Sequence, residues 1–253
     1  PAFNLPPSGP ASTLTRSLMK TDPTRRDVLA ASTLVLASGL GSSLFAAGGR
    51  RKPPGFEISQ VGVISHLVHR YHGWPTLARR KNGQMLLVCS GGRESHVCPF
   101  GRVELMRSDD GGRSWSWPQT LIDSAIDDRD AGVLETPRGS LLVTTFTSLA
   151  FEQPTYFAKA DKQQVARWSA ARDRLPEATR KKMLGEWIIR STDGGQSWSA
   201  PSRCGINSPH GPIALADGCL LYAGKELYQG TGRIGAALSV DDGVSWKWSG
   251  TIP

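Results

Sequence analysis

Ser108-Asp109-Asp110-Gly111-Gly112-Arg113-Ser114-Trp115 is one copy of a pattern, Ser-x-Asp-x-Gly-x-x-Trp, that this chain repeats. Ser191, Asp193, Gly195 and Trp198 form the second copy, and Ser239, Asp241, Gly243 and Trp246 the third. One match could be coincidence, but three at comparable places define a repeat, and a repeat decides the architecture. The residue types say what the pattern does. Asp and Ser side chains hydrogen-bond nearby backbone N–H groups, Gly supplies a positive φ, and Trp packs inward, so the motif stabilises a tight turn between strands. Its carboxylates are read as structural.

Working outward, each copy is preceded by apolar runs flanking a turn glycine: Trp74 to Cys89 around Gly83, Asp130 to Phe146 around Gly139, and His210 to Ala223 around Gly218. Each reads as strand, turn, strand. A third alternating segment enters the motif (Val103 to Arg107, Trp187 to Arg190, Ile234 to Leu238), and a fourth strand leaves from the Trp. Four short antiparallel strands per unit is the blade of a propeller, so the fold class is all-β. Turn glycine to motif serine is 25 residues in the first unit, 21 in the third and 52 in the second. The excess, about 158–185, is rich in Lys, Arg, Ala, Gln and Glu, and predicts a helical insertion broken at Pro176. Three units and an N-terminal segment are too few to close a ring, so the sequence is expected to be the front of a longer propeller.

With 39% hydrophobic residues in 253, the chain has material for a sizeable core. The net charge of +8 invites a nucleic-acid reading. Seven basic and two acidic residues fall within 1–52, however, leaving only +3 for the rest, and a nucleic-acid partner is not expected. Thr24-Arg25-Arg26-Asp27-Val28-Leu29 opens an uncharged, small and apolar stretch to Ala46. It resembles a twin-arginine export signal, giving 1–47 as extension and leader and 48–70 as linker and first strand. The twin-arginine translocase is then a partner during export, the protein is periplasmic or extracellular in a bacterium, and no stable membrane span is expected. Met19 lies where such a signal would begin, which makes 1–18 an over-extended start. No pair among Cys89, Cys98, Cys204 and Cys219 has zinc-ligand spacing, so no metal and no cofactor are expected. Export makes disulfides possible, while Cys89 and Cys219, inside apolar runs, read as buried strand residues.

The Asp boxes at 108–115, 191–198 and 239–246, with the segments before them, resemble the sialidase superfamily over 71–253. Tyr71, Trp74 and Pro75 are similar to the family's opening Tyr-Arg-Ile-Pro, Gly92-Arg93 to its Glu-Gly-Arg, and His210-Gly211-Pro212-Ile213 with Asp217-Gly218 to its Gly-Ile-x-Leu-x-Asp-Gly. The resemblance implies a six-bladed propeller, here about three blades, and an exo-α-sialidase type of glycoside hydrolase. Two departures stand out. Gly73 occupies the place of the opening arginine, and the stretch where the family keeps its acid/base aspartate reads Pro99-Phe100-Gly101-Arg102-Val103-Glu104. The family's tyrosine nucleophile, its glutamate partner and two further arginines belong to later blades.

In a propeller the ligand site gathers on loops around the axis, and three polar clusters fall there. They are Arg93-Glu94-Ser95-His96, then Asp127-Asp128-Arg129-Asp130, then Asn207, Ser208 and His210 with Lys225 and Glu226. Glycoside hydrolysis needs a proton donor and a group that stabilises an oxocarbenium-like state, and an acidic sugar adds a need for arginine. Asp128, Asp130, His210 and Glu94 are the catalytic candidates. Arg93, Arg129, His96, Lys225 and Glu226 are the substrate-binding candidates. The expected function is an exported sialidase-like hydrolase acting on terminal acidic sugars of glycans. A non-catalytic glycan- or protein-binding propeller and an acidic-polysaccharide lyase are the alternatives.

Overall fold

A computed structural model describes residues 55, 57, 58 and 60–252. The leader reading of 1–47 lies outside them. The chain divides between Glu57 and Ile58. The larger unit, Ile58–Pro253, holds three four-stranded antiparallel sheets, each a simple meander. Blade one is β1 (Tyr71–Arg79), β2 (Met85–Arg93), β3 (Arg102–Ser108) and β4 (Gln119–Ile122). Blade two is β5 (Asp127–Glu135), β6 (Leu141–Ser148), β7 (Glu186–Ser191) and β8 (Ser202–Arg203). Blade three is β9 (Ile213–Ala214), β10 (Leu220–Lys225), β11 (Ile234–Ser239) and β12 (Lys247–Thr251). The chain is all-β with about three propeller blades, as the repeat predicts.

Two details differ from the sequence reading. No strand lies between 60 and 70, and the first strand among the described residues begins at Tyr71; 48–54 of the segment read as linker and first strand lies outside the described residues. Cys219 is half-buried beside β10 rather than inside it, and all four cysteines are free thiols. Burial pushes the thiols of Cys89 and Cys204 up to about 12, which leaves them chemically quiet at neutral pH.

The strands stay together because their two faces serve two cores. Successive residues of a strand point to opposite faces. Leu141 and Val143 of β6 therefore join Leu86, Val88, Val103, Leu105, Val133 and Ile189 in the core between blades one and two. Leu142 between them points the other way, to Ile188, Ile206, Leu220 and Tyr222 between blades two and three. A strand buried on both faces reads as a continuous apolar run, as Leu141-Leu142-Val143 does.

The Asp boxes close the outer turns. In the first box Ser108 Oγ donates to Asp110 at 2.8 Å and accepts from the Gly112 amide at 2.8 Å. Asp110 in turn accepts from the amides of Arg113 and Ser114 at 2.9 Å. The same bonds recur around Asp193, and around Asp241 except that the Val244 amide turns to the Asp241 carbonyl. Hydrogen bonds from Ser114 and Ser108 hold the Asp110 carboxyl far below its ordinary range, and Ser197 and Ser191 do the same for Asp193. The left-handed position before the motif glycine is Gly111 (φ 75°), Gly194 (φ 76°) and Asp242 (φ 64°).

The second and third boxes are also stapled to the preceding blade. Arg107, one residue before the first box, donates to the carbonyls of Gly194 (3.3 Å) and Gly195 (2.8 Å) in the second. Arg190, one before the second, donates to the Asp242 carbonyl at 3.0 Å and pairs with its carboxylate in the third. Ser140 donates to that same carboxylate at 2.6 Å.

The helical insertion belongs to blade two, between β6 and β7. It begins earlier than 158, with a 3-10 turn at Ala150–Glu152 and α1 (Pro154–Phe157), followed by α2 (Lys162–Asp173) and α3 (Glu177–Lys182). Asp161 and Gln164 form a reciprocal capping box at the start of α2. Pro176 caps α3, which is why the two helices are separate. No helix among the described residues is long and apolar enough to cross a membrane.

Candidate functional site

In an antiparallel blade the start of the first strand, the end of the second and the start of the third share one rim. That rim of blades one and two gathers an aromatic and guanidinium cup. Trp74 has φ 51° and Asp130 has φ 38°, and both sit where the inner strand slips register. A β-bulge of this kind re-aims a side chain, and here it happens at equivalent places in β1 and β5. The Arg129 guanidinium lies 4.5 Å from the Trp74 ring centroid. His96 packs against the same ring at 4.9 Å, and Tyr71 donates or accepts a hydrogen bond at 3.3 Å from His96 Nδ1. Arg129 Nη1 has only long contacts, 3.5 Å to the His96 carbonyl and 3.5 Å to Asp127. Its Nε and Nη2 have no partner among the described residues.

Asp130 is buried and its Oδ1 has no hydrogen-bond partner in the described residues. Burial raises its pKa, with Arg129, Arg93 and His210 close enough to oppose that. His210 reaches the cup from the loop before β9, with Nδ1 3.0 Å from Thr76 Oγ1 of β1. It can do so because Gly211 nests against Gly132: a Cβ on Gly132 would lie 2.5 Å from the Gly211 amide nitrogen. Burial, then the charges of Arg129 and Arg93, hold the His96 pKa below its ordinary value, so the ring is neutral at pH 7.

Five of the sequence candidates have other tasks. Arg93 is fully buried and all five of its donors are engaged. It forms a fork with both oxygens of Asp127 at 2.7 and 3.0 Å, and also donates to Ser90 Oγ and to the carbonyls of Ser95 and His96. Gly101 leaves room for that fork, since a Cβ there would lie 2.1 Å from Arg93 Nη1. Glu94 accepts from Arg167 Nε at 2.8 Å and Trp168 Nε1 at 3.0 Å, and so docks α2 onto blade one. Asp128 faces away from the cup, into a cavity of about 310 Å³ that it shares with Thr147, Met183 and Trp187. Glu226 pairs with Arg233 and holds the β10–β11 turn. Lys225 joins Asn207 in a backbone bridge.

Sequence reasoning did not single out Asp127 or Trp74 as site residues. Their roles depend on a bulge and on a buried ion pair between blades, and neither has a local sequence signal. Glu186 was also missed. It is fully buried and accepts from the amides of Leu227 and Tyr228 at 2.7 and 3.2 Å.

Comparison with known proteins adds the fold's relatives. Residues 189–200 match the BNR/Asp-box repeat family. By fold, the chain is part of a β-propeller that carries Asp-box turns. A Dyadobacter fermentans protein described as of unknown function superposes with a TM-score of 0.55 at 20% identity, over 75% of this chain and 57% of that one. A sialidase, Hz136, described as Hadza microbial, superposes with a TM-score of 0.53 at 16% identity, over 72% of this chain and 38% of that one. The chain therefore spans little more than half of the first relative and less than half of the second. No curated protein sequence matches it.

Proposed function

We propose that this propeller binds the terminal acidic sugar of a glycan in the Trp74–Arg129 cup and belongs to an exported glycoside hydrolase of the sialidase type. One observation carries the reading: a nearly buried arginine with unengaged N–H donors lies on an aromatic ring, beside a buried carboxyl with an unpartnered oxygen. A guanidinium fork matches a carboxylate in two parallel bonds, and a sugar face stacks on an indole, so the two together select an acidic sugar. Asp130 is the proton donor of the proposal. Its burial raises its pKa, a shift toward the protonated form that a leaving oxygen requires. His210 and His96 border the sugar.

Arg129→Lys keeps the charge but loses the fork, and should weaken N-acetylneuraminic acid binding by about tenfold in the full-length protein. Isothermal titration reads this directly. Unchanged affinity in both Arg129→Lys and Arg129→Ala removes the acidic-sugar reading. Release of a fluorescent aglycone from a sialoside separates hydrolysis from binding alone. Loss of that release in Asp130→Asn with sugar affinity retained identifies Asp130 as the acid, whereas binding without any release by the unmodified protein supports the non-catalytic alternative.

A further inference from the structure

A second polar cavity, of about 430 Å³, crosses the same rim outward over blade one. Arg70, Arg102, Arg167 and Arg174 line it, with Glu94 and Asp123 as the acidic residues of its wall. Four guanidiniums against these two carboxylates and the Glu104 that pairs with Arg102 leave an excess of one positive charge. These arginines come from separate parts of the chain: Arg70 precedes β1, Arg102 opens β3, and Arg167 and Arg174 belong to α2 and its C-terminal cap. The insertion of blade two is brought over blade one by the two hydrogen bonds that Arg167 and Trp168 donate to Glu94.

Most of the donor capacity in this cavity is unengaged. Arg102 uses Nε on Glu104 at 2.7 Å, and Arg167 uses Nε on Glu94 at 2.8 Å. The side chains of Arg70 and Arg174 have no partner among the described residues. Paired Nη groups on a planar guanidinium are the fork that binds an oxyanion bidentately. Phe100 in the wall offers an apolar face beside them. Like charges gathered in one concave site repel one another until an anion enters.

We propose that this cavity is a second anion subsite, which takes a sulfate or carboxylate carried by the sugar unit next to the one in the Trp74–Arg129 cup. The ligand is then a glycan with anionic groups on adjacent units, not a chain with one acidic terminal residue. This rests on the cup reading for the position of the first sugar. The helical insertion is the specificity element, since it supplies two of the four arginines.

The test uses the full-length protein and two probes, sialyllactose and sialyllactose sulfated on its galactose, with the uronate-bearing analogue as a third arm to separate carboxylate from sulfate. The unmodified protein should bind at least one doubly anionic probe about tenfold more tightly than sialyllactose. Arg70→Ala combined with Arg174→Ala alters two exposed side chains and should bring that ratio to about one, with sialyllactose affinity unchanged. Arg129→Ala should weaken all probes together and preserve the ratio. A ratio of one in the unmodified protein, or a preference that survives the double substitution, overturns the second subsite. Unchanged binding of every probe in Arg129→Ala overturns the cup alone, because the ratio remains readable.

Discussion

Asp128→Asn tests the claim that burial keeps the Asp128 proton in place. The side chain is fully buried; one oxygen accepts from the Ser124 amide at 2.6 Å and the other has no partner. Burial, only partly offset by Ser124, pushes the carboxyl up to about 7. In an unfolded chain the same group titrates near ~3.9. Between those values the native state holds a proton that the unfolded chain has released, so stability falls as pH rises through the window. At ~1.4 kcal/mol per pKa unit, about three units amount to about 4 kcal/mol in the limit. Over an accessible range of about pH 4.5 to about 7.5, the two titration curves give about 3 kcal/mol. Asn keeps an oxygen for the Ser124 amide and cannot ionise. Urea denaturation of both proteins across this range should therefore show the variant gaining about 3 kcal/mol on the unmodified protein as pH rises. Taking the difference cancels His96 and the other titrating groups. A difference constant to within about 0.5 kcal/mol refutes the burial argument.

Leu142→Ala empties a fully buried position between blades two and three and should cost about 2 to 5 kcal/mol by denaturant titration. Asp242→Gly keeps the left-handed turn, since Gly111 and Gly194 occupy the equivalent places, and removes the pair to Arg190 and Ser140; a loss of about 2 kcal/mol is expected, and no loss would dismiss the staple. Arg93→Lys cannot reproduce the fork to Asp127, so its effect should appear as lowered melting temperature, in contrast to Arg129→Lys, whose effect should appear in affinity.

The blades were legible because their signals are local. A box such as Ser191 to Trp198 makes its own hydrogen bonds within a few residues, and the turn glycines and apolar runs around it follow from strand geometry. The helical insertion was legible from composition, and its break from Pro176 alone. The site was legible only as a set of loops. Which arginine is available depends on partners distant in sequence: Arg93 meets Asp127 across a blade boundary, and Glu94 meets an insertion more than seventy residues later. Asp128 and Asp130 are two residues apart, which regular alternation would place on one face, but the bulge turns one to an inter-blade cavity and the other to the cup. Composition does not carry that information.

The arginines therefore divide by what their N–H groups already hold, and this division gives the fold and the site different shares of the same residue type. Arg107 and Arg190 hold the turn of the next blade, and Arg93 holds a buried carboxylate with every donor engaged. Each of these fixes the position of one blade on another, which is what a cup formed between blades requires. Arg93 in particular lies 5.3 Å from the Trp74 ring on the buried side while Arg129 lies 4.5 Å from it with donors unengaged. Trp74 is thus held between two guanidiniums, so the binding proposed at Arg129 would depend on a neighbour whose own donors are all engaged. The Asp127 carboxylate, between them, ties the two arginines together: its short bonds to Arg93 fix its position, and its 3.5 Å contact leaves Arg129 oriented but not neutralised.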